Sequence, residues 1–368
     1  MPPTITSAVA PPSAPRKGRG ALGNREGRYE RQTRTAVDDG WWQEAEALPA
    51  LPTTVSEDQS RTVISRNTSP DVPFDRSVNP YRGCEHGCIY CFARPTHAFL
   101  GLSAGLDFET KLSAKTDAAR LLTAELRRKG YRAQPLILGS NTDPYQPVER
   151  KLRITRSILE VLAACEHPVA IATKSALVVR DLDILAPMAE RGLASVGISV
   201  TTLDPALART MEPRAGAPAK RLAAIRALAV AGVPVSVLAA PVIPFVNDHE
   251  LERILETAAA AGASAASRIL LRLPWELKEL FEDWLRAHFP DRADRVLACV
   301  RDCHGGNLYE ARWGERMRGS GPWADLLHRR FDVACRRLGL GTGSPAARAL
   351  DCSKFRPPPA DCRQGSLL

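Results

Sequence analysis

Between about residue 61 and residue 275, short apolar runs alternate with longer stretches in which apolar positions recur every three or four residues. The runs Pro135–Leu138, Val169–Ala172, Ala194–Val200, Val235–Ala239 and Ile269–Leu273 lack a polar alternation. Runs of that kind read as strands buried on both faces, the pattern of a parallel sheet. Lys115–Lys129, Ile154–Cys165, Asp181–Arg191, Ala219–Ala231 and His249–Ala261 carry the helical period instead. In the first two, Leu121, Leu122 and Leu126, then Ile158, Leu159 and Leu162, fall on one face. Gly130, Gly192, Gly232 and Gly262 stand just past helix ends, where a left-handed residue closes the last turn. Asp181 and Asn247 stand where caps begin helices. With a first strand over Arg76–Tyr81, the pattern predicts an α/β fold of about six βα units, an open or partial (β/α)6 barrel. In such a fold, ligands bind at the C-terminal ends of the strands.

The pattern changes on both sides of this core. Residues 1–60 are rich in Pro, Gly, Ser and charge, and are predicted to be a mostly disordered basic leader. Trp41 and Trp42 interrupt it and read as an anchor docked on the core. Residues 61–275 form the core. A helical extension is expected over 276–340, with helices at Trp275–Phe289, Asp291–Val300 and Trp323–Leu338. Leu277, Leu280, Phe281, Trp284 and Leu285 share one face of the first. The loop Arg301–Arg318 mixes Tyr309 and Trp313 with arginines. It reads equally as a nucleic-acid surface or as a loop stapled to the barrel by its aromatics. Residues 341–368 are a Pro-rich tail.

Composition narrows the class. The 368 residues are 44% hydrophobic and 25% charged, values ordinary for a globular protein. No apolar stretch is long enough to span a bilayer, and the N-terminus lacks the charge and apolar core of a signal peptide. Nine cysteines that include a metal-type triplet fit a reducing cytoplasm better than a disulfide framework. The net charge is +9, and Arg16, Lys17, Arg19, Arg25, Arg28, Arg31 and Arg34 face only Glu26 and Glu30 in the leader. Such an excess permits nucleic acid binding and equally suits a solvated leader.

The triplet is Cys84, Cys88 and Cys91, spelling C-x-x-x-C-x-x-C directly after the first strand. Three thiolates on one loop can hold three irons of a [4Fe–4S] cube and leave the fourth open to a small ligand. A zinc knuckle is the alternative, with His86 or His97 as a fourth ligand, although neither gives a familiar zinc spacing. Cys299 and Cys303, with Cys335, Cys352 or Cys362, could hold a second cluster or a metal; ordinary buried thiols are the simpler reading.

The runs NPYRGCEHGCIYCFARPTHA, NTDPYQPVE and TMEPR resemble the radical S-adenosylmethionine (SAM) superfamily, and within it a bacterial branch related to spore photoproduct lyase. The resemblance implies a [4Fe–4S] cluster on Cys84, Cys88 and Cys91 and SAM at its open iron. Electron transfer then splits SAM into methionine and a 5′-deoxyadenosyl radical that abstracts hydrogen. It also implies an electron donor such as flavodoxin or ferredoxin. Tyr90 would flank the adenine, and Ser140, Asn141, Thr142 and Asp143 would meet the methionine amino group. Lys174 would meet its carboxylate, Ser199 and Thr201 the ribose hydroxyls, and Glu212 and Arg214 would lie near the cofactor. The bland readings are a turn at 141–144, a solvated lysine, ordinary strand hydroxyls and a helix-end salt bridge. Two departures bear on the reaction. The lyase's hydrogen-donating cysteine aligns with Ser140, and its second tyrosine with Phe92. The expected function is therefore radical SAM chemistry on a substrate, with nucleic acid favoured. The rivals are a protein or small metabolite as substrate, or a non-catalytic metal or iron–sulfur module.

Overall fold

The computed structural model of the protein describes residues 15–30, 51–343 and 350–359. Its strands are β1 (Thr54–Glu57), β2 (Ile64–Arg66), β3 (Arg76–Val78), β4 (Tyr81–Arg82), β5 (Lys111–Ala114), β6 (Leu136–Leu138), β7 (Val169–Thr173), β8 (Ala194–Ser199), β9 (Val235–Val242), β10 (Ala265–Leu270) and β11 (Gly341–Thr342). Eight of them form one sheet in the order β2–β3–β6–β7–β8–β9–β10–β11, while β1, β5 and β4 form a small second sheet. Within the described large sheet the β2–β3 pair at the edge is antiparallel and the other pairs are parallel; in the small sheet β4 and β5 pair antiparallel. The parallel strands β3 and β6 to β10, with the helices that return the chain between them, are the expected open (β/α)6 array. The helices Ala118–Leu126, Ile154–Ala164, Leu182–Glu190, Pro218–Val230 and Leu251–Ala260 agree with the predicted ones to within about three residues.

The register explains which residues point where. Val78, Leu138, Ile171 and Val196 lie side by side across the sheet, as do Ser77, Ile137, Ala170 and Ser195. The first row shares a core with Leu122, Ile158, Leu159, Leu162, Leu185 and Ile225 from the covering helices. The second row, on the other face, is smaller and more polar apart from Ile137. There Ile137 and Ala170 pack with Leu350 and Phe74. The stretch 350–359 lies across the N-terminal ends of the strands: Asp351 N donates to Gly192 O at 3.0 Å and Arg356 N to Cys165 O at 2.9 Å. The end of the array opposite the site is therefore sealed by the tail.

Three elements differ from expectation. β10 begins at Ala265, four residues before the predicted Ile269, because Ala265-Ala266-Ser267 offers no apolar run. Leu271 and Leu273, which suggested the later strand, instead pack with the helices Leu277–His288 and Ala293–Cys303 in a second core that includes Cys88, Ile89 and Tyr90. Residues 15–30 and 51–57, expected in the disordered leader, are folded on the domain, with Ala21 fully buried. Trp41 and Trp42 lie outside the described residues. The loop 301–318 is stapled down, but by charge: Asp71 accepts from Arg316 Nε and, at 2.6 Å, from Gly314 N, while Trp313 is exposed.

Candidate active site at the strand ends

β3 leads through Asn79 and Pro80 into β4 and then the cysteine loop. Cys84 N donates to Phe108 O at 2.9 Å, Gly87 N to Cys84 O at 3.3 Å and Cys91 N to Cys88 O at 3.2 Å, so the loop turns tightly twice. Gly83 and Gly87 take φ of +76° and +68°, the left-handed region that these turns need. Fully buried Gln146 clamps the loop from the β6 side, accepting from Glu85 N at 2.9 Å and donating to Gly83 O at 3.2 Å. Cys84 and Cys88 are buried and Cys91 is half-buried, and each thiol lies within electrostatic reach of another. Burial pushes the Cys84 and Cys88 thiols up, with Asp143 adding to the effect at Cys84 and Glu212 at Cys88. Metal charge is what makes thiolates affordable in such a pocket. Among the described residues, no three His, Cys, Asp or Glu side chains converge on a single-ion site. A [4Fe–4S] cube asks for something else, one thiolate per iron, and three adjacent thiols on a loop, two buried and one half-buried, fit that demand. His86 turns to Asp143, and His97 Nε2 lies 3.0 Å from Lys111 O, so neither joins the thiols.

The predicted residues stand at the strand ends beside the loop, where many of their polar groups meet one another. Asp143 is a local hub. Its Oδ1 accepts from Thr173 Oγ1 at 2.7 Å and Tyr145 N at 2.8 Å, its Oδ2 accepts from Lys174 N at 2.7 Å, and His86 Nδ1 stands 3.3 Å away. Burial alone would raise its pKa, but His86 and these donors hold it down to about 2. Its acceptors are thus spent inside the protein. Ser140 Oγ receives Asn79 Nδ2 at 3.2 Å, Asn79 Oδ1 accepts from Asn141 N at 3.0 Å, and Thr142 Oγ1 donates to Tyr81 O at 2.7 Å. Lys174 donates from Nζ to Ser199 Oγ at 3.1 Å, and Nζ sits 5.7 Å from the Tyr90 ring centre. Its charge reaches Cys88.

Glu212 and Arg214, expected near the cofactor, grip the cysteine loop. Glu212 is buried and accepts from both Tyr90 Oη and Arg221, itself 1% exposed. Arg221 also donates to Ser199 O at 3.0 Å. Arg214 N donates to His86 O at 3.2 Å, and its guanidinium pairs with Glu85 at 3.0 Å. Ile89 N donates to Met211 O at 3.0 Å. The TMEPR turn therefore holds Tyr90 and the loop backbone. Ser199 is engaged by Lys174, but the Thr201 hydroxyl, 1% exposed, has no hydrogen-bond partner among the described residues.

Sequence reasoning missed Gln146, Arg94, Glu109, Arg221 and Arg272. Arg94 carries the one local signal, three residues after Cys91; the others act from distant segments. Arg272 follows β10 and stacks its guanidinium 4.2 Å over the Phe92 ring. It makes no hydrogen bond or ion pair among the described residues, and burial lowers its pKa. Among the described residues, the remaining cysteines form no second metal-type cluster. Cys299 and Cys303 touch each other in the main core with Cys335, Cys352 lies in the tail, and Cys362 is outside the described residues.

Residues 78–258 match the model of the radical SAM superfamily. An uncharacterised protein of Mycobacterium tuberculosis is 40% identical over 232 residues, 62% of this chain and 68% of that protein. An uncharacterised protein of Methanocaldococcus jannaschii is 26% identical over 173 residues, 47% of this chain and 62% of that protein. Spore photoproduct lyase complexed with dinucleoside spore photoproduct superposes with a TM-score of 0.56 at 14% identity, over 78% of this chain and 80% of that one. That likeness shows a shared fold. No helix among the described residues is long and apolar enough to cross a membrane. With the matching superfamily model covering the cysteine triplet and the array from the end of β3 through β9, the chain belongs to the radical SAM superfamily and is one of its enzymes.

Proposed function

We propose that this enzyme holds a [4Fe–4S] cluster on Cys84, Cys88 and Cys91 and SAM beside it, and acts on nucleic acid in the cytoplasm. The observation that carries the cofactor reading is the placing of three adjacent thiols at the strand-end rim, with the Lys174 charge in reach of Cys88. When bound and reduced, the cluster supplies the electron that splits the S–C5′ bond of SAM, giving the radical that takes a substrate hydrogen. Lys174, oriented by Ser199, would hold the SAM carboxylate as a point charge. Thr201 would offer its free hydroxyl to the ribose, and Tyr90, fixed by Glu212, would flank the adenine. Ser140 and Asn141 remain for the ammonium group, since Asp143 is spent on internal donors. A flavodoxin or ferredoxin would supply the electron. The described cysteines are all free thiols, in keeping with a reducing compartment.

Support for nucleic acid comes from the net charge of +9 and from Arg272, a guanidinium beside the cysteine loop without an ion-pair partner among the described residues, which a phosphate would complete. Ser140 and Phe92 cannot supply the thiol and second phenol of the lyase's hydrogen relay, so a thymine-dimer reaction by that relay is not part of the proposal.

The test is anaerobic reconstitution with iron and sulfide, then SAM and dithionite. A brown protein that releases 5′-deoxyadenosine is expected, and a colourless zinc protein without turnover would overturn the cofactor reading. Deuterated oligonucleotides should pass deuterium into 5′-deoxyadenosine. Transfer from deuterated peptides or metabolites alone would move the substrate to those classes.

A further inference from the structure

The cysteine loop is held from beneath by a segment that composition assigns to the leader. Arg94 is fully buried, and its guanidinium donates to Cys88 O at 2.8 Å, Gly87 O at 2.9 Å, Ala104 O at 3.1 Å and Gly105 O at 3.0 Å. It therefore fixes the carbonyls that set the turn between two cluster cysteines. Its charge is met by Glu109, also fully buried. The rest of the Glu109 carboxylate is satisfied by backbone from the N-terminal segment: Gly20 N donates at 3.0 Å and Ala21 N at 2.9 Å. Arg19 closes the same junction, donating to Glu109 O at 2.9 Å and Leu51 O at 2.5 Å.

The contact is too close for any side chain at its centre. A Cβ on Gly20 would lie 1.9 Å from Gly87 O, so a side chain there must displace the cysteine loop or the segment. A Cβ on Gly105 would lie 2.1 Å from Gly23 O, the second point at which the segment meets the domain backbone to backbone. Asn24 then exchanges two hydrogen bonds with Asp107, both at 2.9 Å, and Arg25 pairs with Glu279 and Asp283 at 2.7 Å. One short segment thus ties the cysteine loop to the helix Leu277–His288, which shares its core. A buried carboxylate left without these two amides would be under-bonded, and the neighbouring Arg94 would lose its fixed partner.

We propose that residues 19–24 are a cluster-positioning strap, acting through Glu109 and Arg94 on the backbone of Gly87 and Cys88, so that cluster retention depends on a segment remote from the cysteines in sequence. This rests on the reading that Cys84, Cys88 and Cys91 hold the cluster. Arg94, Glu109 and Gly20 are positioning residues; none is required to touch iron.

The experiment uses the full chain, reconstituted anaerobically. Gly20→Ala is expected to load iron but to lose it to EDTA at least tenfold faster than wild type, with altered g-values in the EPR spectrum of the reduced cluster. Lys17→Ala, at an exposed position, should match wild type. Should Gly20→Ala fail to fold, hydrogen exchange on the wild-type chain decides the matter. Cluster loading should slow the amides of Gly20 and Ala21 at least tenfold together with those of residues 87–91, and leave the sheet unchanged. A wild type that takes up no iron overturns the cluster reading and the strap with it. Normal loading with Gly20→Ala indistinguishable from wild type, or with exchange of residues 19–24 indifferent to the cluster, overturns the strap alone.

Discussion

Thr201 shows how a single side chain can point to a ligand. A hydroxyl that is 1% exposed and has no partner among the described residues forgoes its hydration without a replacement, a cost of about 1–3 kcal/mol. Valine has nearly the same shape and no such cost. Thr201→Val should therefore unfold no earlier than wild type in urea, while its affinity for SAM, measured by equilibrium dialysis, falls about three- to tenfold. Equal affinity would mean that the ribose lies elsewhere. Asp143 makes the opposite point. Its residue type suggested a free charge for an ammonium group, yet His86, Thr173, Tyr145 and Lys174 consume it. The sequence shows a carboxylate; only the fold shows how many donors surround it.

Among the elements, the TMEPR turn joins the end of the helix Pro205–Met211 to the cysteine loop through Tyr90 and Ile89, and the buried Glu212–Arg221 pair ties that turn to the helix Pro218–Val230. Removing one member leaves a charge buried and unpaired, so Arg221→Met should cost roughly 3–5 kcal/mol in urea unfolding, whereas Tyr90→Phe should cost about 1 kcal/mol. Similar costs for the two would mean that the Glu212–Arg221 pair is solvated in the folded chain. The same scale explains what was legible. Strands β6 to β9 announced themselves because burial on both faces leaves continuous apolar runs. β10 was displaced and β1, β4 and β5 were missed because their signals are small residues or short polar runs whose pairing is set by distant neighbours. In the site, the cysteine triplet was readable because its ligands are local. The strap and the Glu212 contacts were not, since they join segments many residues apart.

Across the whole molecule, the two ends of the (β/α)6 array are built for different tasks. The N-terminal ends are sealed by the tail, where Phe355 packs on Tyr131 and His167. The Tyr131 hydroxyl lies 2.8 Å from His167 Nε2, and His167 Nδ1 lies 3.0 Å from Pro168 O. Burial, aided by the Arg76 charge, lowers the pKa of His167 from 6.5 to about 4. The unfolded chain gains this proton as pH falls below about 6.5, and the folded chain only near 4, so stability is full above the window and declines through it. Wild type should lose roughly 2 kcal/mol between pH 7 and 5 relative to His167→Gln in urea titrations; a constant difference would mean that the folded imidazole protonates freely. The open end has the reverse character, because there an unpaired charge is a means of capture. Most rim arginines are already matched: Arg28 pairs with Glu276, Arg214 with Glu85 and Arg316 with Asp71. Arg272 is not matched among the described residues, so it should dominate phosphate contact. Each phosphate neutralised contributes about 0.7–0.9 to the slope of log K against log salt. Arg272→Met should therefore flatten that slope by about one such step for a single-stranded oligonucleotide. Arg316→Met should unpin the loop 301–318 and leave the slope nearly unchanged. Equal slopes for wild type and Arg272→Met, or a larger change at Arg316, would place the anion site on that loop instead.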